Sequence, residues 1–207
     1  LRSKELILSM VVFGIAIVLA FSCSSNLSRE VVINYASGMF WITILFVSAL
    51  GVHRSFAYEK EYDAFSMLVT APIDRGFIFL AKWVSGFIYL TLMEILIIFP
   101  FFKFLMIDYP SNILIAISTT LFINLGIMAV ANLVSGIAMR SNLSEILLPI
   151  LFFPLVSPII IAATKISTSV MLNDSYVLWE IWVLIVGSII IISGLAGYVL
   201  FDYLVEE

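Results

Sequence analysis

The sequence predicts an all-α integral membrane protein with six transmembrane helices. Composition is the first reason, because 63% of the 207 residues are hydrophobic and only 12% are charged, whereas an ordinary soluble domain has about 25% charged residues. The second reason is that the apolar residues form six runs, each near or above the roughly 17 residues that an α-helix needs to cross the hydrocarbon. Because lipid offers the backbone no hydrogen-bond partners, these spans are expected to be helices.

The six predicted spans form a single transmembrane domain that covers residues 1–207. In order, they are residues 6–22, 35–52, 77–99, 113–139, 146–163 and 179–200. The fourth is the longest, and it can therefore tilt or project from the bilayer. The loops on the outer side and the C-terminal tail are short, so no globular domain is expected on either side of the membrane.

The distribution of Lys and Arg orients the spans, because the cytoplasmic loops of membrane proteins are enriched in these residues. With the N-terminus inside, the cytoplasmic segments hold seven of the ten basic residues, namely Arg2, Lys4, Arg54, Lys60, Arg75, Lys82 and Arg140. The outer segments hold Arg29, Lys103 and Lys165. Both termini, and the segment between the second and third spans, are therefore expected in the cytoplasm.

Residues 53–76, between the second and third spans, form the longest polar interruption of the sequence. The apolar residues in this segment have the spacing of one helical face, with Tyr58, Tyr62, Phe65 and Val69. The charged residues lie on the other sides, with Glu59, Lys60, Glu61 and Asp63. This pattern predicts a short amphipathic helix at about residues 56–70, on the cytoplasmic surface of the membrane.

A helix of this kind either rests on lipid headgroups or fits into a partner protein. Helices that rest on lipid are usually rich in Lys and Arg, whereas this helix has three acidic residues around a single Lys60, which favours a partner with a basic groove. Pro72 is expected to end the helix because it has no N–H to donate. Asp74 is expected to cap the next helix, whose apolar run begins at Phe77.

The fifth span is unusual because it contains three prolines, Pro149, Pro154 and Pro158. Each interior proline removes a backbone hydrogen bond and bends a helix, and residues 145–173 are more than one straight span requires. The pattern predicts a broken helix, or a helix followed by a re-entrant segment on the outer side. Irregular backbone at membrane depth must be covered by protein or water, so these prolines are expected to line an interface or a cavity.

Several polar or small residues inside the spans are candidates for contacts between helices. A carboxylate at the centre of a spanning helix costs about 2.5–3.5 kcal/mol on insertion scales, so Glu94 is expected either to line a translocation path or to bond to a neighbouring helix. Asn124 and Asn132 lie two turns apart in the fourth span and are expected to join helices. Ser193 and Gly197 should allow another helix to approach the sixth span closely.

The four tryptophans lie near the ends of the predicted spans, at Trp41, Trp83, Trp179 and Trp182. Tryptophan is enriched at the headgroup level of membrane proteins. We therefore expect an interfacial belt rather than a ligand site.

Several classes of function are excluded by what the sequence lacks. It has no Gly-x-x-x-x-Gly-Lys-Ser/Thr phosphate loop, so the chain is not expected to hydrolyse ATP by itself. Its one histidine, His53, and its one cysteine, Cys23, cannot form a histidine metal cluster or an internal disulfide. It also has no basic patch and no nucleic-acid-binding motif. Neither an enzyme nor a nucleic-acid-binding protein is expected.

The run EKEYDAFSMLVTAPIDRGFIFLAKW, residues 59–83, resembles the coupling region of ABC-2 type export permeases. Three further features are the six spans, the lack of a large outer loop and the proline-spaced LLPILFFPLVSP of the fifth span. With them, the whole chain is similar to the CcmB family (heme exporter protein B), the permeases of cytochrome c maturation. One departure is Ala64, where the family pattern often has Gly. Ala suits a helix better than Gly.

The resemblance implies a homodimer of six-helix halves in a bacterial-type inner membrane, bound to two copies of a separate ABC ATPase subunit (CcmA-like). It also implies a heme-handling membrane subunit (CcmC-like) and a small membrane subunit (CcmD-like). In such families the helix that matches residues 59–69 docks in a cleft of the ATPase. The coupling residues that follow from this match are Tyr58, Glu59, Glu61, Tyr62, Asp63, Phe65, Leu68 and Val69.

This chain is not expected to hold heme tightly by itself. Heme iron takes a His, Met, Cys or Tyr axial ligand, but His53 is predicted on the cytoplasmic side. The eight methionines leave room for a weak ligand but form no paired site. Heme is therefore expected on a partner subunit, and ATP on the ATPase subunit.

Two other functions remain open. One is an ABC-2 permease for another cargo such as a lipid, a glycan or a drug, and the other is a membrane scaffold that transports nothing.

Overall fold

The computed structural model describes residues 2–24, 29–61, 74–139 and 144–205, and the regular secondary structure in these ranges is helical throughout. Six α-helices fall in these ranges: α1 (Arg2–Ser24), α2 (Arg29–Glu61), α3 (Arg75–Leu105), α4 (Ile113–Met139), α5 (Ser144–Leu172) and α6 (Glu180–Val205). A short 3-10 helix, Tyr176–Leu178, precedes α6. For the described residues, the prediction of an all-α protein is confirmed.

Five of the helices are long and apolar enough to cross a membrane. Their apolar stretches are Asn34–Ser55, Gly76–Leu105, Ile113–Ala138, Ile146–Leu172 and Glu180–Val199. Each stretch overlaps one of the predicted spans from the second to the sixth. Helix α1 contains a shorter apolar stretch, Ile7–Cys23. The chain is therefore a multi-pass membrane protein, and a sixth crossing, by α1, stays a prediction.

The helices run alternately in opposite directions, as contacts at one end of the bundle show. The Ser22 hydroxyl of α1 donates a hydrogen bond to the carbonyl of Phe104 in α3 at 2.9 Å. At the same end, Asn173 Nδ2 donates to Ser111 Oγ at 2.6 Å. We call this the distal end of the bundle. Helix α2 ends, and α3 begins, at the opposite or proximal end.

Helix α4 is the centre of the bundle, because it contacts α2, α3, α5 and α6. Its middle turns are buried on every side, with Ile127, Met128, Ala129, Val130 and Ala131 at most 4% exposed. A helix that is apolar all round is expected to be buried in this way. Helix α1 lies at the periphery and packs against α2 and α3.

Helix α5 is continuous over Ser144–Leu172 and contains all three prolines, so the prediction of a broken helix or a re-entrant segment is wrong. Pro158 has no N–H to donate to the carbonyl of Pro154, four residues earlier. The Ser157 hydroxyl donates to that same Pro154 carbonyl at 2.8 Å. Serine side chains can replace lost backbone bonds in this way in spanning helices, which explains how the helix continues through Pro158.

Helix α2 (Arg29–Glu61) extends beyond its apolar stretch, which ends at Ser55. Its 33 residues correspond to about 50 Å at 1.5 Å per residue, more than the roughly 30 Å of hydrocarbon in a bilayer. The amphipathic helix predicted at about 56–70 is therefore not separate from the second span at its start, because residues 56–61 continue α2. Residues 62–70 of that predicted helix lie outside the described residues.

Two of the tryptophans join helices. Trp41 is 0% exposed, and its indole N–H donates to Ser167 Oγ of α5 at 2.8 Å. The indole N–H of Trp83 in α3 donates to the carbonyl of Leu125 in α4 at 2.9 Å. The prediction of an interfacial belt is wrong for Trp41, because a position along a span does not reveal which face of the helix it occupies.

Candidate functional site: the coupling segment and the contacts of α3

The predicted coupling residues lie at, and beyond, the proximal end of α2. Tyr58 is a half-buried residue of α2, and Glu59 and Glu61 belong to the last turn of the same helix. The remaining predicted coupling residues lie outside the described part of the chain: Tyr62, Asp63, Phe65, Leu68 and Val69. We call residues 62–73 the coupling segment. The structure describes the helices that lead into it and out of it.

Asp74 fixes the start of α3. Its backbone is not helical (φ −56°, ψ 126°), and its carboxylate accepts a hydrogen bond from the Gly76 N–H at 2.9 Å. The Phe77 N–H donates to the Asp74 carbonyl at 3.0 Å. The predicted Asp74 cap is confirmed, and it satisfies an N–H group that an uncapped helix would leave unbonded. Helix α3 therefore has a defined start directly after the coupling segment.

The first turns of α3 pack closely against α6. The Phe79 ring is 1% exposed, and a Cβ added to Gly197 of α6 would overlap it. A Cβ added to Gly194 would lie 2.9 Å from the Trp83 ring. We call the packing of Phe79 and Trp83 on these two glycines the α3–α6 contact. It explains the predicted close approach at Gly197, because only glycine leaves room for the rings.

On the other side of the coupling segment, α2 is held by α1 and α3. A Cβ added to Gly51 of α2 would lie 2.6 Å from the terminal methyl group of Met10 in α1. The Tyr89 hydroxyl of α3 donates to the Met10 sulfur at 3.3 Å. Three helices therefore meet at Gly51, ten residues before the last residue of α2.

A buried carboxylate lies farther along α3. Glu94 is 2% exposed and faces Asn124 of α4, which is 0% exposed. Asn124 Nδ2 donates to Glu94 Oε2 at 2.5 Å and approaches Thr91 Oγ1 at 3.5 Å. The structure therefore places Glu94 at the contact between two helices, bonded to the neighbouring one. We call these two residues the Glu94–Asn124 pair.

Sequence reasoning singled out both members of this pair but did not bring them together. Both lie about 16 Å inside the distal ends of their helices, Leu105 and Ile113, at 1.5 Å per residue. Equal depth on two consecutive antiparallel helices is the signal that was available. By contrast, Asn132 donates to the carbonyl of Met128 in its own helix at 2.8 Å. Among the described residues it makes no hydrogen bond to another helix, so a role in joining helices stays a prediction.

The prolines of α5 lie toward the outside of the bundle. Pro149 is half-buried, and Pro154 and Pro158 are exposed. Their exposed apolar neighbours include Ile150 (60%) and Ile161 (54%). This face of α5 is therefore open to lipid or to a partner, and an interface at the prolines stays a prediction.

Among the described residues, no three His, Cys, Asp or Glu side chains come together as a metal site would require. The geometry provides two long helices, α2 and α3, that flank the coupling segment, and the first turns of α3 pack closely on α6.

Comparison with known proteins gives one match. A family model described as CcmB protein matches residues 1–198 of the 207. No curated protein and no solved structure matches the chain.

Proposed function

Because this chain belongs to the CcmB family, which implies the permease role in heme export for cytochrome c maturation, we propose that it transmits ATP-driven motion from a separate ATPase subunit into the membrane. In this proposal the ATPase subunit binds and hydrolyses ATP, and this chain is not catalytic by itself. Its part is to move when the ATPase moves.

The observation that carries the proposal is the way in which α2 and α3 flank the coupling segment. Helix α2 continues to Glu61, past the end of its apolar stretch at Ser55. Helix α3 starts at Arg75, directly behind the Asp74 cap. Two stiff helices therefore lead from the coupling segment into the bundle. A partner that displaces this segment moves both helices, whereas flexible connections would absorb the motion.

Motion of α3 has two routes into the rest of the bundle. The α3–α6 contact leaves no space between the Phe79 ring and Gly197, so a shift of α3 pushes directly on α6. The hydrogen bond from Trp83 to the Leu125 carbonyl links the same part of α3 to the central helix α4. Both routes begin within three turns of the coupling segment.

The surface offered to the ATPase follows from the pattern of the coupling region. An apolar cleft in the ATPase would receive Tyr58, Tyr62, Phe65, Leu68 and Val69. Basic residues at the rim of that cleft would meet Glu59, Glu61 and Asp63. An acidic helix is disfavoured next to anionic lipid and is attracted to a basic protein groove.

The same proposal fixes the setting of the chain. It lies in a bacterial-type inner membrane with both termini and the coupling segment in the cytoplasm, as the distribution of Lys and Arg favours. It forms a homodimer that binds two copies of a CcmA-like ATPase subunit. A CcmC-like subunit handles heme, a small CcmD-like subunit completes the complex, and this chain holds no cofactor of its own.

The test is the substitution Phe65→Asp in the coupling segment. A charge in the middle of the apolar face would have to be desolvated in the cleft of the ATPase, which is costly. We therefore expect the ATPase subunit to be lost when the variant is purified from detergent-solubilised membranes. The amount of the variant that resists alkaline extraction from membranes should equal that of the wild type.

The control is Ser175→Asp, which adds the same charge at an exposed residue at the distal end of the bundle, far from the coupling segment. This control should retain the ATPase. Retention of the ATPase by Phe65→Asp at the wild-type level would contradict the proposed docking surface.

A further inference from the structure

The Glu94–Asn124 pair leaves two buried oxygen atoms without hydrogen bonds. The pair has three side-chain oxygen atoms, and the bond from Asn124 Nδ2 engages only one of them, Glu94 Oε2. Glu94 Oε1 and Asn124 Oδ1 are both buried and have no hydrogen-bond partner among the described residues. An ionised carboxylate and an amide oxygen are both acceptors only, so these two atoms cannot bond to each other while Glu94 is charged.

Helix α3 itself brings no cation to the pair. Its nearest basic residues are Lys82, about 18 Å away along the helix axis, and Lys103, about 14 Å away at 1.5 Å per residue. Thr91, the neighbour that Asn124 approaches, has its hydroxyl engaged with the carbonyl of Phe87 at 2.8 Å.

The helices packed against α3, which are α1, α2, α4 and α6, bring none either. The apolar stretch of α1 and the whole of α4 contain no acidic or basic residue. In the apolar stretch of α2 the only such residues are His53 and Arg54, close to its proximal end, and in that of α6 the only one is Glu180, at the distal end. A charge on Glu94 would thus be buried without a counter-ion, which is a costly arrangement.

We infer that the Glu94 carboxyl group holds a proton in the folded bundle and that its O–H group donates to Asn124 Oδ1. The two side chains then form a closed acid–amide pair, in which the Asn124 Nδ2–H donates to Oε2 and the Glu94 Oε1–H donates to Oδ1. One proton satisfies both buried oxygen atoms at once. The contact between α3 and α4 is therefore a proton-binding site.

Infrared spectroscopy of the purified complex tests this inference directly. In Glu94→Gln the amide group can make the same two hydrogen bonds as the neutral acid, so the variant should fold. The wild-type-minus-variant difference spectrum should contain the carbonyl band of a protonated carboxyl group, and Asn124→Ala should shift that band. The matched control is Glu180→Gln, at an exposed residue, which should leave that band in place. A Glu94→Gln difference spectrum that shows only ionised-carboxylate bands would overturn the inference.

Thermal unfolding in detergent gives an independent readout. Glu94→Gln should unfold at the wild-type temperature, whereas Glu94→Ala should unfold at a lower one. The competing explanation is a metal cation bound by an ionised Glu94 and the amide oxygen. In that case the wild-type unfolding temperature would rise when sodium chloride replaces choline chloride, and Glu94→Gln would lose this rise. That outcome would also overturn the inference.

Discussion

Two of the contacts that hold helix α3 differ in physical character. Near the coupling segment, the α3–α6 contact is steric, with the Phe79 and Trp83 rings lying on Gly197 and Gly194. Farther toward the distal end, the contact with α4 includes a polar part, the Glu94–Asn124 pair. Apolar packing is non-directional and depends on shape, whereas a hydrogen bond depends on distance and angle.

This difference indicates different tasks for the two contacts. An aromatic ring packed on glycine without a gap passes a shift of one helix to the other by direct contact, and it needs no particular bonding angle. The Glu94–Asn124 pair tolerates little sliding, because a shift of one residue would separate the two groups. The proximal part of α3 is thus suited to transmit movement, and its middle is suited to fix the register of α3 on α4.

The largest effect is expected from Gly197→Val, which puts a side chain into the α3–α6 contact. The added side chain would overlap the buried Phe79 ring, and overpacking of this kind costs up to about 3 kcal/mol. The unfolding temperature in detergent should fall strongly. The double variant with Phe79→Ala should recover part of the loss, because the smaller side chain makes room.

Gly187→Ala is the control for Gly197→Val. A Cβ at Gly187 would lie 3.5 Å from Phe122 Cζ, which is an ordinary contact, and alanine favours a helix over glycine by up to about 1 kcal/mol. This variant should be as stable as the wild type or more stable. If Gly187→Ala and Gly197→Val proved equally harmful, the damage would not come from the α3–α6 contact.

An intermediate effect is expected from removing the polar contact with Asn124→Ala. Glu94 would then lose the donor to its Oε2 atom, and an unsatisfied buried polar group costs about 1–3 kcal/mol. The same unfolding measurement in detergent applies. The control is Asn132→Ala, because Asn132 bonds only within its own helix in the described structure and should change the stability little. Equal losses from the two substitutions would contradict a special role for the Glu94–Asn124 pair.

The smallest effect is expected from Trp83→Phe, which changes both the packing on Gly194 and a hydrogen bond between α3 and α4. It removes the indole N–H that donates to the Leu125 carbonyl, a loss of about 1 kcal/mol, but keeps an aromatic ring near Gly194. Because the new ring is smaller, Gly194→Ala should cost less in this background than in the wild type. A double-mutant cycle measures that difference, and strict additivity would show that the ring and the glycine do not interact.

Much of the fold could be predicted from local patterns. The apolar runs predicted where five long apolar helices lie, and the Asp74 cap was predictable because it involves only Asp74 and the first turn of α3. The end of α2 was harder to place, because apolar composition marks the part of a helix in lipid and not the helical residues beyond it. In α5 the prolines indicated a break, but the neighbouring Ser157 hydroxyl supplies a bond to the Pro154 carbonyl that Pro158 cannot.

The contacts of the site depend on which face of one helix meets which face of another. Trp41 and Glu94 were visible as unusual residues, but their partners, Ser167 and Asn124, come from other helices. No periodicity within one span reveals such a partner. The coupling residues from Tyr62 to Val69 lie outside the described residues, and their role in docking rests on the resemblance and on the pattern of charged and apolar residues.

The packing at Gly51 has a mechanical consequence for α2. Helix α2 is packed against α1 and α3 where Gly51 meets Met10 and Tyr89. At 1.5 Å per residue, this point lies about 15 Å from the proximal end of α2 at Glu61 and about 25 Å from Asn34. The longer, distal part of α2 is also bonded to α5, through Trp41 and Ser167. A sideways push on the proximal end of α2 would therefore be carried into α1, α3 and α5 together.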